Sequence, residues 1–147
     1  MSKQEKISLV MLAVALVGAV YLAWELFLAP GAAASEGALS GMRDNVAKLF
    51  AALMLGMVAI EKYGNGPLMD ERDRQIKAEG MEAGYFALLL ALVVAGVATR
   101  VRGFDAYLGS RPHGWLELCL LLCIAVSVAV NGAVRTYRYW RDRRAAT

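Results

Sequence analysis

Four apolar segments alternate with charged segments along the chain. They cover residues 7–28, 46–60, 85–101 and 115–134. A bilayer core of about 30 Å needs roughly 20 helical residues, so the first and fourth segments can span by themselves. The second segment is too short to span alone, so the predicted span, 44–63, includes flanking residues. The side chains of Lys48 and Lys62 would extend toward the outer and inner membrane surfaces. The pattern predicts an all-α membrane four-helix bundle.

Composition and charge agree with this class. The chain is 59% hydrophobic over 147 residues, too apolar for a soluble domain of this size. Most of the 16 lysines and arginines lie before the first span, between the second and third, and after the fourth. The positive-inside rule therefore places both termini and the central loop in the cytoplasm of a bacterial or archaeal inner membrane. The net charge of +3 then reflects topology, and no direct nucleic-acid binding is expected.

The first apolar segment also has features of a signal peptide, with a basic start and an alanine-rich exit. Its length over 7–28 exceeds the roughly 7 to 15 residues of a signal-peptide core. We therefore expect a retained helix. Cleavage is the alternative, and it would leave three helices.

The third span, predicted at 81–101, is preceded by a densely charged segment that should continue the same helix. Asp70 can cap the helix, acidic residues fill its first turn, and no proline interrupts residues 70–102. Such a helix is about 48 Å long, whereas only about 30 Å fits in the bilayer core. About three turns should project into the cytoplasm and bind a partner, unless they are simply a solvated helix end. The predicted partner-binding residues are Asp70, Glu71, Arg72, Asp73, Arg74 and Lys77.

The segment "DERDRQI…A…GYFALLLALVV", starting at Asp70, resembles the Asp-Glu-Arg-Asp motif of a family of small four-helix integral membrane proteins of bacteria and archaea. Members of that family are often encoded beside a helix-turn-helix regulator of the Cro/repressor type. The resemblance covers the four-span layout and about twenty residues of sequence. It implies a cytoplasmic helix-turn-helix regulator as a partner and implies no chemistry.

Small residues recur at a spacing of four, which favours close helix contacts in a membrane. The third span has the longest series, preceded by Gly80 and Gly84. This series consists of Ala83, Ala87, Ala91, Ala95 and Thr99. It indicates a compact bundle, and a homo-oligomer is a further expectation.

Ionisable residues near the outer ends of the spans form a second candidate site. This outer polar cluster consists of Glu25, Lys48, Arg100 and Glu117. One interpretation is an oligomeric transporter or stress-linked membrane protein that works through these charges. The other is a set of interfacial residues satisfied by each other and by water.

The C-terminal tail, 135–147, combines arginines with aromatic residues and follows directly on the fourth span. Arginines meet anionic lipid while tyrosine and tryptophan lie at headgroup level, so we expect contact with membrane lipid. The predicted lipid-interface residues are Arg135, Tyr137, Arg138, Tyr139, Trp140 and Arg141.

Metal and catalytic sites are not expected. His113 and Glu117 are four residues apart, as are Cys119 and Cys123, but the two pairs face different sides of one helix. No P-loop, zinc-protease motif or nucleophile elbow occurs. We therefore predict a non-enzymatic, cofactor-free membrane protein with a regulatory or scaffolding role through residues 70–79, with the transporter as the alternative.

Overall fold

The structure is a computed structural model that describes residues 2–29, 35–63, 70–112 and 114–145, except for the side chain of Asp105. These residues form helices and turns, with no strand among them, which confirms the all-α class. The helices are α1 (Lys3–Ala23), which continues in a π-helical turn at Trp24–Leu28, α2 (Glu36–Tyr63), α3 (Glu71–Ala98), the short α4 (Phe104–Gly109) and α5 (Trp115–Ala145).

The four long helices lie in the order α2, α1, α5, α3 across the molecule. The largest contacts join α1 to α5 and α3 to α5, α2 packs mainly on α1, and α2 and α3 make almost no contact. Two ends result. The Arg135 end holds the start of α1, the end of α2, the start of α3 and the end of α5, and the Trp115 end lies opposite.

Within the described ranges, three helices are long and apolar enough to cross a membrane: α1 with its π-helical turn, α3 and α5. The second predicted span falls within α2, which does not meet the same standard. Lys48 and Glu61 bracket an uncharged stretch, 49–60, that is shorter than a bilayer core requires. The third helix ends at Ala98, short of the predicted limit at residue 101, and α5 runs unbroken through residues 135–145.

Local capping explains where the helices begin. The Ser2 hydroxyl accepts a hydrogen bond from the Glu5 backbone N–H at 3.1 Å. At the start of α3, Asp70 and Asp73 form a reciprocal capping box. Before α4 and α5 the chain turns sharply at Gly103 and Gly114, whose φ angles of 89° and 93° favour glycine.

An apolar core lies at the Trp115 end, between α1, α2 and α5. It consists of Leu22, Leu26, Leu39, Met42, Val46, Trp115 and Leu118. Tyr107 of α4, an element not predicted from the sequence, places its ring 5.7 Å from that of Trp115. The connection from α3 to α5 is thereby held against this core.

Glycines make the closest helix contacts. Gly84 faces α5, where the Ser127 hydroxyl donates to the Gly84 carbonyl at 2.7 Å. A methyl group on Gly132 would lie 2.9 Å from the backbone N of Leu12, so α1 and α5 touch through their backbones there. The series of small residues predicted on α3 contributes less, because Ala95 and Thr99 are exposed.

We expect Gly132→Ala to lower the free energy of unfolding by about 1–3 kcal/mol, because the added methyl would press against the α1 backbone. Gly96→Ala is the matched control, since Gly96 lies in a helix with open space around it. Unfolding of both variants in detergent or lipid would be followed by circular dichroism. Equal stability of the two variants would show that this contact is not close-packed.

Candidate functional site

The first turns of α3 lie beside the last turns of α5 and are joined to them by a buried polar contact. The Tyr139 hydroxyl donates to Asp73 Oδ1 at 2.6 Å, and both side chains are buried. The other Asp73 oxygen accepts from the Asp70 backbone N–H at 3.4 Å, and Asp70 Oδ1 accepts from the Asp73 N–H at 2.6 Å. The two aspartates of the predicted partner site thus hold the helix start in place.

Two ion pairs flank this contact on one side of α3. Arg72 pairs with Asp142 at 2.9 Å, and Glu79 pairs with Arg138 at 2.6 Å. Partly exposed pairs stabilise by less than about 1 kcal/mol each. Their main effect here is on orientation, because they fix which faces of α3 and α5 meet.

A different face of α3 points away from α5. Its exposed residues are Glu71, Arg74, Gln75 and Ala78, which we call the docking face. The side chains of Glu71 and Arg74 make no hydrogen bond or ion pair with any residue in the described ranges. The six residues predicted to bind a partner therefore divide: Asp70 and Asp73 cap the helix, Arg72 pairs with α5, and Glu71 and Arg74 face outward. The sixth, Lys77, lines a groove beside Met81.

The predicted lipid-interface residues divide in a similar way. Tyr137 and Trp140 are exposed, with ring centroids 6.0 Å apart, and the Arg144 guanidinium lies 4.0 Å from the Trp140 ring. Arg141 is also exposed, with Nε 3.7 Å from Asp142. Tyr139 is instead buried against α3 by the contact described above. Its interior position follows from helical periodicity, which turns residue 139 inward while 137, 140 and 141 face out.

Arg135, the first residue of that predicted set, is also buried, with 4% of its surface exposed. Its Nη2 donates to Gln4 Oε1 at 3.3 Å and its Nη1 to Met11 Sδ at 3.5 Å. Its Nε has no hydrogen-bond partner in the described part of the chain, and the same is true of the neighbouring Asn131 Oδ1. A buried cation with such weak partners was not expected from the sequence.

The start of α1 supplies further polar residues that the sequence reasoning did not single out. Gln4, Glu5 and Ser8 are all buried. Glu5 forms an ion pair with Arg143, and the Ser8 hydroxyl donates to the Gln4 carbonyl at 2.8 Å. The feature of the sequence that could have indicated these buried residues is the polar start of an otherwise apolar helix. The Arg135 end is therefore a three-helix polar junction of α1, α3 and α5.

At the opposite end, the predicted outer polar cluster does not assemble. Glu117 pairs with Arg43 at 2.6 Å rather than with Lys48 or Arg100. Lys48 and Arg100 are exposed, Glu25 is partly buried, and no ion pair joins these three to another described residue. They come from separate helices and turns. The sequence pattern placed them at a similar depth in the membrane, but residues at the same depth need not be neighbours.

Metal-binding residues are likewise dispersed. Cys119 and Cys123 are free and partly buried, and the described residues contain no group of three or more potential metal ligands. His113 lies outside the described residues.

Comparison of the chain with models of protein families, with curated proteins and with solved structures found no match. The family resemblance based on the Asp70 to Arg74 motif therefore stays a prediction.

We expect Tyr139→Phe to reduce the free energy of unfolding by about 1–3 kcal/mol, because the buried Asp73 carboxylate would lose a hydrogen-bond donor. Hydrogen exchange of the α3 backbone over residues 71–76 should increase in the same variant. Tyr137→Phe is the control, since Tyr137 is 56% exposed. If both variants match the wild type in stability and exchange, the Asp73 contact does not hold α3 in place.

Proposed function

We propose that this chain is a non-enzymatic inner-membrane protein that binds a cytoplasmic partner through the docking face of α3. In this proposal it is a four-helix membrane bundle with both termini in the cytoplasm, and the Arg135 end is the cytoplasmic end. The first turns of α3 and the last turns of α5 then project from the membrane as a pair. Regulation or scaffolding is the role assigned to that pair.

The observation that carries the proposal is the way in which α3 is held. Asp73, buried against Tyr139, and the ion pairs of Arg72 and Glu79 occupy the inner and one lateral side of the helix. Glu71 and Arg74 lie on the outer side, and their side chains contact no described residue through a hydrogen bond or ion pair. A rigid helix with a free charged face costs little entropy to bind, which favours recognition.

Charge at the same end supports the proposed orientation. Basic residues lie at the end of α5, and Lys3, Lys6 and Lys62 lie at the ends of α1 and α2. This concentration is typical of the cytoplasmic side. The second helix would cross the membrane beside α1, with Lys48 and Lys62 reaching the two interfaces. A cytoplasmic helix-turn-helix regulator is the partner suggested by the family resemblance.

The transporter alternative has less support. It requires intramembrane charges that act together. Among the described residues, the one ion pair of the outer polar cluster joins Glu117 to Arg43, which is not a member of the cluster. We therefore place function at the Arg135 end.

The proposal predicts that Arg74→Glu abolishes partner binding without changing the fold, because it reverses the central charge of the docking face. A photoreactive benzoylphenylalanine at position 78 would crosslink the partner in native membranes, and mass spectrometry would identify it. The charge-matched control is Arg102→Glu, since Arg102 is also exposed but lies at the other end of the molecule. A second control places the photoreactive residue at position 97, on an exposed part of α3 away from the docking face.

If the docking face binds a partner, position 78 crosslinks a cytoplasmic protein. This crosslink disappears in Arg74→Glu and persists in Arg102→Glu. The docking face is only a solvated helix surface if the photoreactive residue at position 78 captures no protein. The same conclusion holds if it captures the same protein in the otherwise wild-type chain, in Arg74→Glu and in Arg102→Glu. Thermal unfolding of each variant checks that the fold is intact.

A further inference from the structure

A groove opens between the four long helices at the Arg135 end, where α2 and α3 fail to meet. Its volume is about 480 Å³. Four of the seven methionines of the chain line it, together with Ile7 and Val58. The methionines are Met11, Met54, Met57 and Met81. Methionine side chains are flexible and polarisable, so such walls can adapt to an irregular apolar chain.

Polar residues also line the groove. They are Gln4, Glu61, Lys77, Asn131 and Arg135. The groove therefore combines adaptable apolar walls with polar groups that include two cations. An amphiphile with a charged head and a hydrocarbon tail has the same two parts.

Arg135 indicates which charge a ligand of this groove should carry. Its guanidinium is buried. Among the described residues, no carboxylate lies within 4 Å of it and its Nε has no hydrogen-bond partner. The neighbouring Asp73 is held by Tyr139 and by the start of α3. An unpaired buried charge is costly, and an anion with acceptor oxygens would relieve that cost.

Two further charged groups that line the groove affect which ligand charge it favours. Lys77 is exposed on the groove side of α3 and adds a second positive charge. Glu61 contributes one negative charge from the exposed end of α2, where Lys3 Nζ donates to its backbone carbonyl at 3.3 Å. The buried charge without a direct ion pair in the described chain is positive, so an anionic head group is favoured over a zwitterionic one.

We propose that this groove binds one anionic phospholipid from the surrounding bilayer, with its phosphate at Arg135 and Lys77 and an acyl chain along the four methionines. Arginine suits this position because its planar guanidinium binds phosphate oxygens in a bidentate manner. The lipid would also bridge α2 and α3. This inference depends on the membrane placement proposed above and is independent of partner binding at the docking face.

The test uses the full chain purified in detergent and native mass spectrometry with dioleoylphosphatidylglycerol or dioleoylphosphatidylcholine. We expect one tightly retained phosphatidylglycerol and no comparable phosphatidylcholine. Lys77→Gln should weaken retention about fivefold, since one basic residue near an anionic surface contributes about 1 kcal/mol. Lys77→Arg should retain the lipid. Arg74→Gln is the matched control, because it removes the same charge one turn away on the docking face.

Acyl position is tested separately with a phosphatidylglycerol that carries a diazirine in one acyl chain. Labelling should concentrate on peptides that contain Met54, Met57 and Met81, and Met81→Trp should reduce it by filling the groove. Arg135→Gln is a further variant, to be used only if it folds.

Several outcomes would overturn the proposal. Equal retention of the two lipids, or equal loss in Lys77→Gln and Arg74→Gln, would remove the phosphate site. Labelling spread over the exposed apolar surface would indicate ordinary bilayer contact. If inorganic phosphate competes fully with the lipid, the site binds a free anion, and if groove variants abolish a dimer instead, a second copy of the chain occupies it.

Discussion

The hydrogen bond from the Tyr139 hydroxyl to the Asp73 carboxylate sets the alignment of α3 on α5. Asp73 belongs to a capping box, so this one contact fixes both where α3 begins and which residue of α5 lies opposite that point. Arg72 then meets Asp142, and Glu79 meets Arg138. Farther along, Gly84 lies against Ser127, where a larger residue would separate the helices. A charged sequence that suggests an exposed surface thus contains the main tertiary contact of its helix.

The two ends of the molecule are stabilised by different physics. At the Trp115 end, α1, α2 and α5 bury leucine, methionine, valine and tryptophan side chains. Burial stabilises in proportion to the apolar area where it removes that area from water, and through close van der Waals packing where lipid surrounds the helices. At the Arg135 end, polar side chains of α1, α3 and α5 are buried together. Such groups stabilise a fold only when they are paired, and a partly paired network is costly. Arg135 is the incompletely paired cation of this junction, which is why the proposed anionic ligand is placed there.

The loose placement of α2 has a cause in its sequence. Charged residues lie toward both ends of α2, and its apolar stretch is short; α2 packs mainly on α1 and makes almost no contact with α3. The gap between α2 and α3 forms the groove lined by methionines. Helix packing, rather than any motif, thereby creates a concave surface that the buried cation Arg135 lines. The proposed docking face and the groove lie on different sides of α3, so the two proposed sites would not compete for the same surface of the helix.

The sequence by itself determined the helical class, the membrane-length segments of α1, α3 and α5, and the capped start of α3 at Asp70. These features depend on local hydropathy and on hydrogen bonds between residues close in the chain, which periodicity and spacing report directly. The tertiary structure alone decided the pairing of α3 with α5, the inward position of Arg135 and Tyr139, and the separation of the outer charges Glu25, Lys48 and Arg100. Those outcomes depend on how helices rotate and cross, and hydropathy along the chain carries no information about the partner that a given helix face will meet.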